Sequence, residues 1–424
     1  MIPALILFAV TYVLMLVFGK YRPYIAIASG IVFIATGMLP LGNVLGAIDF
    51  NVILMIAGTM GLVALFIESK MPALLADLVM ERVTNVMWAA VALSLFAGII
   101  SAFVDNVATV LMVAPIALAI CKKLGTNPVP FIVAIAVSSN LQGAATLVGD
   151  TTAIMLGSAL DMTFLDFFFY QGKPSIFFAV ELGAVLSAII LAFLFRKEKA
   201  AIPKATSRTK VTDYVPSALL VAVLVLLILA SFIPEKPAIT NGLICCGLLV
   251  IGLIYSIIRT KKLSSVVEPL KSIDFSTIGI LLGLFLMIGG ITEQGVIDKA
   301  AELLAEMGGG NVFLLYTVVV WVSVVISAFI DNIPYVATMI PVIGGIAAAL
   351  GIDPTPLYFG LLSGATLGGN CTPIGASANI TGIGILRREG YEVKNSDFFK
   401  IGIPFTLAAI VPAYIYIWLI YGVR

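Results

Sequence analysis

The sequence contains no histidine, and charged residues make up only 11% of its 424 positions. Each absence removes a class of function. Without histidine there is no His-Glu-x-x-His zinc site and no Ser-His-Asp triad, and any proton the protein carries must ride on Asp or Glu. No Gly-x-Ser-x-Gly elbow presents a nucleophile either, so no catalytic residues are expected. No nucleotide-binding loop is evident, so ATP could drive this chain only through a separate subunit. The net charge of +1 offers no basic surface for nucleic acid. The four cysteines, Cys121, Cys245, Cys246 and Cys371, lie in or beside apolar runs without metal-type spacing, and read as small buried hydrophobes. No cofactor is expected.

What remains is apolar. Hydrophobic residues account for 61% of the chain and the mean hydropathy is +1.14, whereas a soluble domain carries about 25% charged residues. The chain therefore reads as an integral membrane protein. Its first apolar run, Ile2 to Phe18, has neither a basic leader nor a small-residue cleavage site, and reads as a retained helix. Runs long enough to cross a bilayer cover residues 2–18, 24–42, 50–68, 176–195, 214–233, 238–258, 276–294 and 399–421.

One segment occurs twice. Ser101-Ala-Phe-Val-Asp105-Asn106 returns 226 residues later as Ser327-Ala-Phe-Ile-Asp331-Asn332, and residues 101–154 and 327–380 align without a gap, with 17 identities in 54 positions. The shared residues include Pro115/Pro341, Gly125/Gly351, Gly143/Gly369, Thr146/Thr372 and Gly149/Gly375, types that ordinary apolar helices do not require. Residues 88–120 form an apolar stretch of 33 residues with Asp105-Asn106 at its middle. As one helix it would be about 50 Å long, so a re-entrant hairpin with a polar tip fits better. Residues 314–346 repeat the pattern around Asp331-Asn332. The stretches 129–160 and 356–386 are broken by Gly-rich polar runs, Asn140-Leu-Gln-Gly-Ala-Ala-Thr-Leu-Val-Gly-Asp150 and Gly368-Gly-Asn-Cys-Thr-Pro-Ile-Gly-Ala-Ser377. Non-helical backbone at membrane depth is tolerated only against protein or a wet cavity, and a pair of such segments points to the binding site of a transporter.

The expected fold is an all-α polytopic membrane protein built from an inverted repeat, each half holding five crossings, one of them broken, plus one hairpin. Residues 1–195 form the first half, 196–213 a cytoplasmic linker and 214–424 the second half. Five is odd, so the second copy must enter the membrane upside down. With the linker inside, 20 Lys and Arg residues fall inside and 4 fall outside (Lys173, Lys236, Lys299 and Arg424), as the positive-inside rule requires. Both termini are then outside, and one hairpin opens to each face. A weaker trace extends the repeat upstream: Asp49-Phe50 matches Asp274-Phe275, Gly58 matches Gly283 and Glu68 matches Glu293.

A carboxylate at membrane depth usually faces a cavity or a partner. Asp105 and Asp331, each followed by Asn, suit a small hard cation at a hairpin tip, yet the same placement also suits an N-cap. Both roles stay open. Asp150 has no acidic twin, since Ala376 holds the matching place, and this asymmetry marks it as a proton-carrying or substrate-specific element. Glu68, Glu181 and Glu293 read as interfacial. Thr146, Thr151, Thr152, Thr372, Ser377 and Asn379 flank the breaks, where they can replace water around an ion or re-satisfy freed backbone groups.

These residues carry a resemblance. Ser-Ala-Phe-Val-Asp-Asn-Val-Ala-Thr-Val with Pro115, then Gly-Ala-Ala-Thr-Leu-Val-Gly-Asp, and in the second copy Gly-Gly-Asn-Cys-Thr-Pro-Ile-Gly-Ala-Ser-Ala-Asn, resemble the ion-transporter superfamily over essentially the whole chain. That group includes arsenite permeases, sodium/proton antiporters, the melanosomal P-protein, and citrate-transporter-like and dicarboxylate/sulfate symporters. The resemblance implies an elevator-type transporter whose hairpin tips and helix breaks hold substrate and coupling ions. Dicarboxylate symporters carry Ser-Asn-Thr at both tips, where this chain has Asp105-Asn106-Val107 and Asp331-Asn332-Ile333. Two carboxylates repel a dianion, which moves the chain toward the P-protein, sodium/proton antiporter and arsenite permease branches; P-protein-like sequences agree best, and the choice among the three stays open.

The reading is therefore a secondary active transporter in a prokaryotic cytoplasmic membrane. It would move a small inorganic ion or oxyacid, coupled to H⁺ or Na⁺. The alternatives are a citrate-, dicarboxylate- or sulfate-type symporter and, in a different class, a passive channel. The candidate site comprises Asp105, Asn106, Asn140, Thr146, Asp150, Thr151, Thr152, Asp331, Asn332, Asn370, Thr372, Ser377 and Asn379, with Na⁺ placed at Asp105, Asn106, Asp331 and Asn332. The expected partners are membrane lipid and a small ion or anion. A homodimer is compatible with this reading, and so is an ATPase subunit if the chain works as arsenite permeases can.

Overall fold

The computed structural model describes residues 1–202, 208–308 and 311–422; Pro203 and Lys204 of the expected linker, and Arg424, lie outside the described residues. The first half forms α1 (Ile2–Val17), α2 (Arg22–Ala35), α3 (Val44–Ala47), α4 (Phe50–Glu68), α5 (Met71–Met80), α6 (Val86–Ser101), α7 (Asn106–Leu124), α8 (Val129–Gly143), α9 (Thr151–Ala159) and α10 (Ile176–Leu194). The second half forms α11 (Val215–Ser231), α12 (Thr240–Thr260), α13 (Ser264–Lys271), α14 (Phe275–Glu293), α15 (Val296–Gly308), α16 (Val312–Ser327), α17 (Asn332–Leu350), α18 (Thr355–Gly368), α19 (Ser377–Arg388) and α20 (Asn395–Ile417). A two-stranded ribbon, β1 (Phe169–Tyr170) with β2 (Lys173–Pro174), lies between α9 and α10. Among the described residues seven helices are long and apolar enough to cross a membrane, and α1 meets α2 through a 116° bend.

The ten helices recur in the same order, and their ends recur for the same local reasons. α4 and α14 both start on an aspartate: Asp49 accepts from Val52 N at 3.0 Å, and Asp274 accepts from Ser276 N at 3.0 Å. α6 and α16 start on asparagines, with Asn85 accepting from Trp88 N and Asn311 from Leu314 N. Each cap satisfies backbone donors that a helix start leaves unpaired. The break between α6 and α7 falls at residues 102–105 and that between α16 and α17 at 328–331, so each expected hairpin is two helices meeting at an Asp-Asn tip.

Packing also alternates between the copies. α2 lies on α14, and α12 lies on α4. Both crossings are close because both use a glycine: a Cβ at Gly283 would sit 2.3 Å from the Ala26 carbonyl carbon, and one at Gly58 would sit 2.5 Å from that of Cys245. In lipid, helices gain contact mainly by such close approach of backbones. α6–α10 and α16–α20 assemble around α8 and α18, of which α18 is buried over its whole length and α8 everywhere but Pro130. Helices that are apolar all round belong at such a centre.

Two features depart from expectation. The run 24–42 is not one helix, because α2 ends at Ala35, Gly37 turns the chain with a φ of +73°, and Pro40 follows. Short helices α5 and α15, unforeseen in sequence, connect α4 and α14 to the hairpins. Both are too short to span a membrane, so they blend into the longer runs around them.

Gly283→Leu should lower stability by about 1–3 kcal/mol through overpacking. Gly247→Ala, where nothing lies within 4 Å, should be neutral or stabilising. Thermal melts of the two purified variants decide; equal melting temperatures would show that the crossing is not tight.

Candidate functional site

The two helix breaks and the two hairpin tips meet, and glycine makes the meeting possible. Helix α6 ends at the tip with free carbonyls at Ser101 and Ala102. A Cβ at Gly149 would lie 2.5 Å from Gly143 O, 2.7 Å from Ser101 O and 2.8 Å from Ala102 O. In the second copy, a Cβ at Gly375 would lie 2.7 Å from Gly369 O and 2.8 Å from Ala328 O. Thr146 Oγ1 donates to Ala102 O, and Thr372 Oγ1 donates to Ala328 O. These duplicated residues tie each break to its own tip and satisfy carbonyls that lipid would leave unpaired.

Both tip aspartates act as caps. Asp105 Oδ1 accepts from Val107 N at 3.0 Å and Ala108 N at 3.2 Å, and Asp331 Oδ1 accepts from Ile333 N at 3.3 Å. Their second oxygens differ. Asp331 Oδ2 accepts from Ser377 Oγ at 3.0 Å, while among the described residues no hydrogen bond reaches Asp105 Oδ2.

Behind the tips lies an amide network that joins the copies. Asn106 Nδ2 donates to Asn140 Oδ1 at 2.9 Å, and Asn140 Nδ2 donates to Asn370 Oδ1 at 2.9 Å and to Asn379 Oδ1 at 3.1 Å. Asn370 Nδ2 continues to Val137 O, and Asn379 Nδ2 to Gly369 O and Thr372 O. The other tip meets a different group: Asn332 Nδ2 lies 3.5 Å from Asp150 Oδ2, which also accepts from Thr152 Oγ1 at 3.1 Å. Asp150 is 3% exposed. One tip amide thus runs into neutral amides and its twin onto a carboxylate.

A cavity of about 320 Å³ opens at this junction. Asp105, Asn106, Asp150 and Thr151 line it from the first copy, and Asn332 and Ser377 from the second. Its other wall comes from α4, through Met60, Ala64 and Glu68, and from the start of α14, through Ser272, Asp274 and Thr277. Asp331 turns instead to a neighbouring space of about 30 Å³ shared with Tyr12 and Arg22. Asn140, Thr146, Thr152, Asn370, Thr372 and Asn379 line neither space and support the site from behind. Cys371 is half-buried and also lines neither.

Among the described residues no three Asp, Glu or Cys side chains converge on one point as metal ligands. An alkali ion here would rest on at most two carboxylates together with amide, hydroxyl and carbonyl oxygens, a donor set that suits a weakly held, exchangeable cation. The acidic lining disfavours a multiply charged anion.

Sequence reasoning missed the scaffold side of this site. Asp274 was visible as the twin of Asp49, but its position opposite the tips was not. Glu68, expected at the interface, borders the cavity. Arg22 and Tyr12 gave no signal, since a lone Arg at a helix end reads as an interfacial charge.

The sequence model of a family described as citrate transporters matches residues 12–364 and 248–424. An uncharacterized transporter of Mycobacterium tuberculosis is 32% identical over 385 residues, covering 89% of this chain and 87% of that protein. The P protein of Homo sapiens is 26% identical over 441 residues, covering 86% of this chain and 52% of that protein. The YdaH transporter of Alcanivorax borkumensis aligns in structure with a TM-score of 0.62 at 13% identity, covering 89% of this chain and 86% of its own. MtrF of Neisseria gonorrhoeae, described among a class of antimetabolite efflux pumps, aligns with a TM-score of 0.58 at 15% identity, covering 93% of this chain and 85% of that one. At these identities the two structures are alike in fold alone.

Asn140→Ala should strip partners from Asn106, Asn370 and Asn379, at about 1–3 kcal/mol for each buried group left unpaired. The measurement is the melting temperature in detergent micelles; an unchanged value would show the network to be dispensable.

Proposed function

The chain belongs to the citrate transporter family, as an integral membrane protein and a transporter, and we propose that it is a secondary active carrier of a small inorganic ion or oxyacid, coupled to H⁺ or Na⁺. The observation that carries this reading is the cavity where two hairpin tips and two helix breaks bring Asp105, Asp150, Asn106 and Asn332 together. A duplicated, non-helical junction of this kind supplies oxygen ligands at depth without exposing backbone to lipid.

The alternating packing of α2 on α14 and α12 on α4 supports an inverted repeat. The division into α1, α2, α4, α11, α12 and α14 on one side and α6–α10 with α16–α20 on the other supports elevator movement of the second group. Contacts between helix ends agree with the charge count. Lys122 pairs with Glu389, Arg208 with Glu81 and Arg259 with Asp213, and all six fall on the face assigned to the cytoplasm. On the opposite face Lys173 Nζ donates to Ile420 O at 2.8 Å. With both termini outside a cytoplasmic membrane, the cavity opens inward past Glu68, Ser272 and Asp274.

A second reading, a citrate- or dicarboxylate-type symporter, is favoured by the family's description. The carboxylates of Asp105 and Asp150 in the cavity weigh against it, and competition of Na⁺-dependent binding by citrate or succinate would establish it.

In proteoliposomes, collapse of the proton and sodium gradients should abolish concentrative uptake of arsenite or antimonite; uptake that persists without either gradient would falsify coupling. Asp105→Asn keeps an oxygen that can cap α7 but loses the charge. Losing a charged ligand costs about 1.5–3 kcal/mol, so transport at limiting cation should fall about ten- to hundredfold with the melting temperature held. Full transport in this variant would reduce Asp105 to a cap.

A further inference from the structure

Asp105 and Asp331 are twins by sequence and by capping, yet among the described residues only Asp331 pairs with a cation. Arg22 Nη1 lies 3.9 Å from Asp331 Oδ2. The guanidinium is held in place because Arg22 Nε donates to Met15 O at 3.1 Å. The space beside the pair, about 30 Å³, has room for about one or two waters and none for a hydrated ion. A second contact fixes the same tip: Tyr12 donates its hydroxyl hydrogen to Pro334 O at 2.7 Å. Among the described residues no Lys or Arg forms an ion pair with Asp105 or Asp150, and these two face the space of about 320 Å³. The other acid near both tips, Asp274, spends its oxygens on Ser276 N, Thr277 N and Thr277 Oγ1 at the start of α14.

We propose that Arg22 is the resident counter-ion of Asp331, standing where the duplicated fold would otherwise take a second mobile cation, so that coupling is confined to Asp105 and Asp150. The proposal rests on the cation-coupled reading above and makes it narrower. Duplication creates two equivalent tips; α2 then brings a fixed positive charge to one of them. A monovalent cation entering at Asp331 would meet the like charge of Arg22, 3.9 Å from the same carboxylate. At Asp105 it would meet no ion-paired Lys or Arg among the described residues, and a carboxylate oxygen left without a hydrogen bond. Arg22 comes from a helix of the opposite group, packed on α14, so the pair also joins the hairpin to that group in this arrangement.

The test uses Na⁺ as the probe on the purified full-length protein in detergent. The melting temperature is followed against NaCl at fixed ionic strength, with N-methylglucamine chloride as the balancing salt. Each saturable site adds its own increment per decade of ligand. The wild-type protein and Arg22→Lys should show the slope of one site, and Asp105→Asn should be flat. Arg22→Gln should steepen the slope about twofold, and Arg22→Gln combined with Asp331→Asn should return it to the wild-type value. The melting temperature in N-methylglucamine alone reports whether each variant is folded, and a purely structural role for Arg22 would lower that baseline without steepening the slope. A wild-type slope in Arg22→Gln overturns the role of Arg22 while leaving coupling intact. A flat response in every protein overturns Na⁺ as the coupling ion and this proposal with it.

Discussion

The constraint on which the rest of the structure depends is that a helix broken inside a membrane must find partners for its free carbonyls and amides. Lipid supplies none. Here the carbonyls at Ala102 and Ala328 are met by threonine hydroxyls from the neighbouring break, and Gly149 and Gly375 allow the backbones close enough for this to happen. The tip amides at Val107, Ala108 and Ile333 are met by Asp105 and Asp331. Once those groups are satisfied, the oxygens left over can serve a ligand. Stability and the proposed binding therefore draw on the same residues, and the polar types recur in both copies because both need their broken helices satisfied.

Duplication supplies symmetry, and the proposed coupling rests on the residues where the symmetry fails. Asp150 has Ala376 as its twin; Asn140, Asn370 and Asn379 have Thr366, Ala144 and Ala153 in the matching places. The result is one tip facing a carboxylate and the other facing amides. A site made of two identical halves would bind two identical ions. A carrier that couples a driving ion to a different cargo needs unequal halves, and the substitutions at Asp150, Asn140, Asn370 and Asn379 fall at the junction.

Much of the fold was legible in one sequence because the membrane leaves few choices. Apolar runs of sufficient length have to be helices, so α4, α10, α12 and α14 lie within two residues of their expected bounds. Breaks were legible where polar, Gly-rich runs interrupt such a stretch, as at residues 140–150 and 368–377. The end of α2 at Ala35 was masked because Gly37 and Pro40 sit within an apolar run, and the short helices α5 and α15 were masked because, at 10 and 13 residues, they are too short to read as membrane spans beside long apolar neighbours. At the site, the residues of the tips and breaks were legible as a set, because a polar residue at depth needs a reason. Their division into cavity-lining and supporting groups was not, since Thr146 and Asp150 stand four residues apart and take opposite roles.

The sequence by itself determined that this is a duplicated membrane protein, where its chain breaks, and which polar residues lie at those breaks, because hydropathy and helix-breaking chemistry are local properties. Only the tertiary structure decided which of those residues face a common space, that Glu68 and Asp274 form its far wall, and that Arg22 stands at one aspartate and not at its twin. Those facts depend on how one helix group sits against the other. Spatial juxtaposition of residues some three hundred positions apart, such as Arg22 and Asp331, leaves no mark in the local pattern of either segment.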